Sequence, residues 1–374
     1  MMKKLLLGML IALLLAAFTG TLFTSTAPTQ AQDAISTPDP NAAILTEPLA
    51  TLPSSIKLTG LREVYQQLNR CSTAALTIYL GYYGFTGSYD SVISAVNPNI
   101  EDVATRIEEL LAFAETQGLR GVIRYGGDVD MLRRLVANGF PVLVENVYYD
   151  GVTGTAFGDF LSHNRVIIGY DDALGVLYSF DSLLGNGEDH TGRPIPYQDY
   201  DPRWQPFNRD YMVLYRPEQE ALVQAVMGDQ WDLQTNLEHT LALNQAELEG
   251  PNANSYSLFN SAETLTLMGR YAEAADMYDQ ARGLGLPWRM FWYQYGAFEA
   301  YLQVGRYDDV LTLARSVLDT TPGVEEVYYY AGRAYEAQGD TQRAIANYQV
   351  ALFRNQYFHE AAAALTRVQG LSGS

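Results

Sequence analysis

Three glycine-centred triplets, Gly269-Arg270-Tyr271, Gly305-Arg306-Tyr307 and Gly339-Asp340-Thr341, recur at spacings of 36 and 34 residues. The same kinds of residue return at fixed offsets around each glycine. Four positions before it stand Leu265, Tyr301 and Tyr335, and five after it Ala274, Val310 and Ala344. Nine after it stand Tyr278, Ala314 and Tyr348, and twelve after it Ala281, Val317 and Ala351. A period of this length, with small residues where paired helices would cross and aromatics between them, marks a stacked helix-turn-helix array. No single repeat buries its apolar face alone, so the C-terminal third is constrained to be helical and stacked. The spacing predicts units at about 255–288, 290–322 and 324–356, within a helical region of 229–369. Helices over Trp231–Leu248 and Phe358–Val368 are expected to cap the stack. The aromatics Trp288, Trp292, Tyr293, Tyr295 and Tyr328 to Tyr330 read mainly as repeat packing.

The rest of the chain differs in character. Of 374 residues, 43 are acidic and 24 basic, for a net charge of −19. That balance argues against nucleic acid as a partner, since phosphate recognition rewards clustered Lys and Arg. It also offers no polybasic patch for an anionic membrane surface. At the N-terminus, Lys3 and Lys4 precede an apolar run from Leu5 to Phe18, and Thr29-Gln30-Ala31 supplies small residues for cleavage. Residues 1–31 therefore read as an export signal. The expected location is secreted or cell-surface, with membrane attachment only if that segment stays uncleaved. Residues 32–56, rich in Thr, Pro, Ala and Ser, read as a flexible linker.

From 57 to 217 the pattern is mixed. Cys71, the single cysteine, sits where a polar run gives way to apolar residues at helical spacing: Ala74, Ala75, Ile78, Tyr79 and Tyr82. A thiol at a helix N-terminus is favoured as the thiolate by unpaired N–H groups and the positive end of the dipole. An unpaired cysteine in an exported chain is a candidate reactive thiol, although a lone cysteine is more often an inert apolar group. A helix is expected over Glu101–Thr116 and another over Met131–Ala137, capped by Asp128. Strands are expected at Gly121–Tyr125, Pro141–Val147, from His163, over Gly175–Ser182 and at Tyr211–Tyr215. Leu184–Trp204 reads as a long loop. His163 opens one strand of a hairpin and Asp181 closes the other, so the two lie side by side in an antiparallel pair. A carboxylate there can orient an imidazole and stabilise its charged form.

The order Gln67…Cys71-Ser72-Thr73-Ala74-Ala75, then Gly139-Phe140-Pro141-Val142-Leu143-Val144, then His163…Gly169-Tyr170-Asp171-Asp172, then Phe180-Asp181 resembles papain-fold cysteine peptidases. It looks most like the bacteriocin leader-processing branch, cysteine peptidase family 39, and its stand-alone relatives. The helical array is similar to tetratricopeptide repeats. The resemblance implies an α+β papain-like domain followed by an all-α repeat domain. It implies Cys71 as nucleophile, His163 as general base and acid, Asp181 as orienting group and Gln67 as oxyanion-hole donor, with Gln66 as rival. The family usually carries glycine and often proline after the cysteine, where this chain has Ser72 and Thr73.

The expected function is therefore an exported thiol peptidase, a hydrolase acting on peptide or protein substrates, whose repeats bind protein or substrate. Two other readings stand beside it: a non-catalytic peptide-binding scaffold on a degenerate peptidase fold, and amidase or transglutaminase-like acyl transfer on the same three side chains. No cofactor is implied. Asp171, Asp172, Asp181 and Asp189 read as turn residues, and no metal site is expected from them.

Overall fold

The computed structural model describes residues 47–148, 160–251 and 253–372. The expected export signal and the linker up to residue 46 lie outside these residues. Among the described residues no helix is long and apolar enough to cross a membrane.

The last part of the expected linker is already folded. Strand β1 (Ser55–Lys57) pairs antiparallel with a later strand, and Tyr170 Oη donates to the Pro53 carbonyl at 2.6 Å. An irregular segment then leads to helix α1 (Cys71–Tyr82), followed by α2 (Tyr89–Val96) and α3 (Ile107–Thr116). Helix α3 starts six residues later than the apolar spacing from Glu101 suggests. Asp102 accepts the Ala104 N–H at 2.9 Å, and Glu109 accepts the Arg106 N–H at 3.0 Å, so local side-chain bonds replace the first turn. Strand β2 (Arg120–Arg124) and α4 (Val129–Ala137) follow, with Asp128 Oδ1 capping the Met131 N–H at 2.6 Å. Next come β3 (Val142–Tyr148), β4 (Leu161–Asp171), β5 (Val176–Phe180) and β6 (Arg193–Pro196). Helix α5 (Tyr197–Trp204) and β7 (Tyr211–Tyr215) complete this region. The expected loop at 184–204 thus holds β6 and α5, and Tyr200 and Trp204 bury fully in the core.

All pairings are antiparallel, in the order β2-β7-β3-β4-β5-β6, with β1 on β4. Strands buried on both faces read as continuous apolar runs, as in Val142-Leu143-Val144 and Val166-Ile167-Ile168, all fully buried. Helix α1 packs on this sheet through Ala75, Leu76, Ile78 and Tyr79.

The remaining chain is helical. Helices α6 (Glu220–Met227) and α7 (Leu233–Glu249) connect to the three pairs. These are α8 (Ser255–Leu267) with α9 (Tyr271–Leu284), α10 (Gly296–Gln303) with α11 (Tyr307–Leu318), and α12 (Glu325–Ala337) with α13 (Thr341–Arg354). Helix α14 (His359–Ser372) follows. The aligned glycine sits in the turn inside each pair, at φ +74°, +79° and +80°, a conformation that a β-carbon disfavours. That shared demand explains why these glycines align.

The sheet region and the repeats share one apolar cluster. Val147, Phe160 and Phe207 pack with Phe259, Tyr278, Phe298 and their neighbours in the stack. Phe160 centres the seam, with ring centroids 5.7 Å from Phe207, 6.4 Å from Tyr256 and 6.3 Å from Tyr293. A second point of contact is backbone against backbone. A β-carbon on Gly323 would stand 2.1 Å from the Glu101 carbonyl oxygen, so only glycine permits this approach.

Ala344 is fully buried and packs with Tyr348 and Ala364. Ala344→Leu is expected to overpack this crossing and destabilise the chain by about 1–3 kcal/mol. An unchanged denaturant midpoint would show that the repeat register is wrong.

Candidate active site

Cys71 is the first residue of α1, half-buried. The helix bonds begin with Ala74 N–H to the Arg70 carbonyl at 3.0 Å, so the N–H groups before it have no helical partner. Arg70 is held rigidly behind the cysteine. Its guanidinium donates to the Asn97 carbonyl and side chain, and to the Asn99 carbonyl at 3.2 Å. The Cys71 Sγ lies 3.9 Å from the Ser162 carbonyl oxygen of β4 and 3.8 Å from Ser72 Oγ.

His163, two residues into β4, stands close enough to the Cys71 thiol for each to shift the other's proton affinity. Its Nε2 meets Asp181 Oδ1 at 2.9 Å, which leaves Nδ1 for the sulfur. The pairing Val166↔Phe180 places Arg165 opposite Asp181, and His163 one alternation further along the same face. Asp181 is 1% exposed and His163 2%. The carboxylate is itself fixed: Oδ1 accepts the Leu183 and Leu184 N–H groups at 2.9 and 2.8 Å, and Oδ2 lies 3.4 Å from Arg165 Nη2. Cys71, His163 and Asp181 are thus brought together in one line.

The charges follow from these contacts. Burial pushes the Cys71 thiol up, but the hydrogen bond and charge of His163 outweigh it and hold the thiol below its ordinary pKa. Burial likewise opposes charge on His163, and its bonds to Asp181 and Cys71 overcome that and raise it. For Asp181, burial is outweighed by His163 and Arg165, which keep it well below the usual carboxylate range. The site favours thiolate beside imidazolium.

The glutamines divide. Gln67, expected as oxyanion donor, is exposed, and its backbone N–H reaches Tyr89 Oη at 3.4 Å. Gln66 is half-buried, and its Oε1 accepts from Ser182 Oγ at 2.9 Å, beside Asp181. That bond leaves the Gln66 amide free to donate elsewhere.

Three residues near the site have no assigned role in the sequence reading, and a fourth has a different one. Arg165 follows His163 by two and so shares its face, a signal the alternation carried. Asn146 pairs with His163 across β3 and β4 and is fully buried. Glu145 accepts a hydrogen bond from Ser162 Oγ, and burial, first among the causes, raises its pKa to about 7. Tyr293 was assigned to repeat packing, yet it also meets the Ser162 backbone. Glu145 and Tyr293 both line a cavity of about 550 Å³ bounded by the sheet region and the repeats, with Asp210, Glu263 and Tyr330 among its other walls. Cys71, His163 and Asp181 are not among the residues that line it; the link is Ser162, which Glu145 and Tyr293 touch and whose carbonyl lies 3.9 Å from the Cys71 sulfur.

Residues 62–212 match the family described as Peptidase_C39 like family. No curated protein matches the chain. Among solved structures, the chain is similar to xylellain, a cysteine protease from Xylella fastidiosa, at 17% identity and a TM-score of 0.32, covering 45% of this chain and 87% of that one. It is similar to a double glycine motif protease from an AMS/PCAT transporter, in complex with its leader peptide, at 16% identity and a TM-score of 0.30, covering 41% and 90%. The repeats are similar to YrrB, a TPR protein with an unusual peptide-binding site, at 18% identity and a TM-score of 0.20, covering 34% and 82%.

If the ion pair exists, the thiol reacts below its ordinary range. Alkylation by iodoacetamide is expected to remain fast well below pH 8.5. In His163→Ala burial loses its main opponent, with only the Asn164 backbone and Ser72 left to lower the thiol, so the profile should move back toward that of an ordinary thiol, about 8.5. Identical pH profiles for the two proteins would remove the pair.

Proposed function

With the match of residues 62–212 to the Peptidase_C39 like family as premise, we propose that the chain is an exported cysteine peptidase that hydrolyses peptide bonds. The observation that carries this reading is the approach of Asp181, His163 and Cys71, with the carboxylate and imidazole buried and Nε2 committed to the carboxylate at 2.9 Å. Export rests on the sequence at 1–31 alone.

The Cys71 thiolate attacks the substrate carbonyl and forms a tetrahedral oxyanion. The Cys71 backbone N–H, at the head of α1, donates to that oxygen, and the side-chain amide of Gln66 is the second donor. Gln66 suits this role better than Gln67, because Ser182 holds its carbonyl end and so orients its amide. Collapse of the oxyanion breaks the C–N bond, and His163 gives its proton to the leaving amine. His163 then takes a proton from water, which attacks the thioester and releases the acid. Asp181 keeps the ring in one tautomer throughout. The cavity bounded by both regions, whose wall residues Glu145 and Tyr293 touch Ser162, receives part of the substrate, and the repeats contribute to holding it or a protein partner.

Ser72, where the family usually has glycine, favours the non-catalytic reading. Its side chain, however, is 6% exposed and its Oγ faces the sulfur at 3.8 Å. A peptide vinyl sulfone separates the readings: covalent labelling mapped to Cys71 supports an active nucleophile, and its failure under reducing conditions favours the scaffold. Cleavage of a fluorogenic peptide library, tested beside amine transfer, then separates hydrolysis from acyl transfer. In the library assay Gln66→Ala should lower kcat by about 10²- to 10³-fold, and Gln67→Ala should leave it nearly unchanged. The reverse ranking would restore Gln67 as the donor.

A further inference from the structure

Four carboxylates meet where the sheet region touches the repeats. Asp102 lies in the irregular segment before α3, Glu109 in the first turn of α3, and Glu325 and Glu326 open α12. Asp102, Glu325 and Glu326 are each 2% exposed. One carboxylate oxygen from each of Glu109, Glu325 and Glu326 lies within 4.8 Å of the other two.

Some of these oxygens have donors. Asp102 accepts from the Ala104 N–H and from Asn97 Nδ2, both at 2.9 Å. Glu109 Oε2 accepts the Arg106 N–H at 3.0 Å, and Glu325 Oε1 accepts from Asn355 Nδ2 at 2.9 Å. Glu325 Oε2 and Glu326 Oε2 are buried and accept no hydrogen bond from any described residue. The cations nearby do not cover this charge. Arg106 Nε stands 3.4 Å from Glu326 and 3.8 Å from Glu109, and the same guanidinium serves Glu360 at 3.6 Å. Arg70 is engaged with Asn97 and feels Asp102 and Glu325 only through their charge. Four carboxylates against two guanidiniums leave an uncompensated negative charge in a buried place, which is costly. The N-terminus of α12 eases Glu325 and Glu326 only by a partial charge. Burial and then the neighbouring carboxylate push Glu326 and Glu109 each up to about 8, the same imbalance expressed as proton affinity.

We propose that Glu109, Glu325 and Glu326 form a binding site for a divalent, oxygen-seeking cation of calcium's size. Calcium accepts an irregular shell of carboxylate oxygens at about 2.3–2.6 Å, and one oxygen from each of these three carboxylates already lies within 4.8 Å of the others. Magnesium, at about 2.0–2.1 Å, demands a tighter shell. The ligands come from both sides of the seam, so the cation clamps the repeat stack to α3. This holds whether or not the thiol hydrolyses peptides.

The test uses the full chain stripped with EDTA. Terbium is the probe for binding, since Tyr295 beside Glu326 can sensitise its emission. The expected result is saturable emission at one ion per chain, displaced by calcium. Calcium at about a hundredfold above its dissociation constant should raise the thermal midpoint by about 4–8 °C. Glu326→Gln should lose both effects, while its midpoint in EDTA equals or exceeds that of wild type because a like charge has gone. That last reading shows the variant is folded, and Glu109→Gln serves as a second variant. Three outcomes would overturn the proposal: a wild-type midpoint that calcium, magnesium and manganese leave unmoved, terbium binding equal in wild type and Glu326→Gln, or stabilisation by acid in place of any cation.

Discussion

Tyr79 ties together three elements whose relative positions decide whether there is a site at all. It lies two turns beyond Cys71 on α1 and is fully buried. Its hydroxyl donates to the Pro141 carbonyl at the head of β3 and accepts the Leu214 N–H of β7 at 2.8 Å. Strand β3 in turn pairs with β4 residue by residue through Asn146↔His163. One phenol therefore sets where the helix that carries the sulfur stands against the strand that carries the imidazole. Tyr82, which donates to the Gly139 carbonyl at 2.8 Å, and Tyr83, which donates to the Leu214 carbonyl, secure the same helix from its far end. Each such bond is worth only about 1 kcal/mol net, but an unpaired buried partner costs about 1–3. The geometry is enforced more by what its loss would leave bare than by what its presence gains.

The seam works on a different basis. Around Phe160 it is apolar and aromatic, and its stabilisation scales with area removed from water. Around Glu101 and Asp102 it is polar and tight, with Asn99 Nδ2 donating to the Gly323 carbonyl at 2.8 Å. Both patches reach the cavity between the two regions, since Arg106 and Phe207 both stand in its walls. The shape of that cavity is thus a property of the docked arrangement and belongs to neither region alone.

Much of this was legible in the sequence where the cause is local. The repeats could be read because a left-handed turn recurs, and only glycine meets that demand cheaply. The nearness of Cys71, His163 and Asp181 could be read because each lies at or within two residues of the end of a regular element. What was not legible depends on register or on irregular backbone. Residues 59–70 have no helical or strand period, so nothing in the sequence decides whether Gln66 or Gln67 turns inward. The start of α3 was misplaced because Asp102 and Glu109 bond to the backbone and displace a turn that apolar spacing alone supports. Helix α5 reads as loop in the sequence because Pro202 and its polar neighbours hide two anchors, Tyr200 and Trp204. Tyr293 looked like one more repeat aromatic, and its place beside Ser162 follows only from how the stack docks.

The mixed membership of the second apolar cluster bears on how such a chain can be divided. Val147, Phe160 and Phe207 belong by sequence to the sheet region but are enclosed by side chains of the stack. A cut after Tyr215 would leave three large apolar groups facing water on one piece and a matching bare face on the other, the kind of contiguous patch that drives association. The sheet region and the repeats are therefore not interchangeable cassettes. Grafting either onto a new partner means redesigning the face it loses.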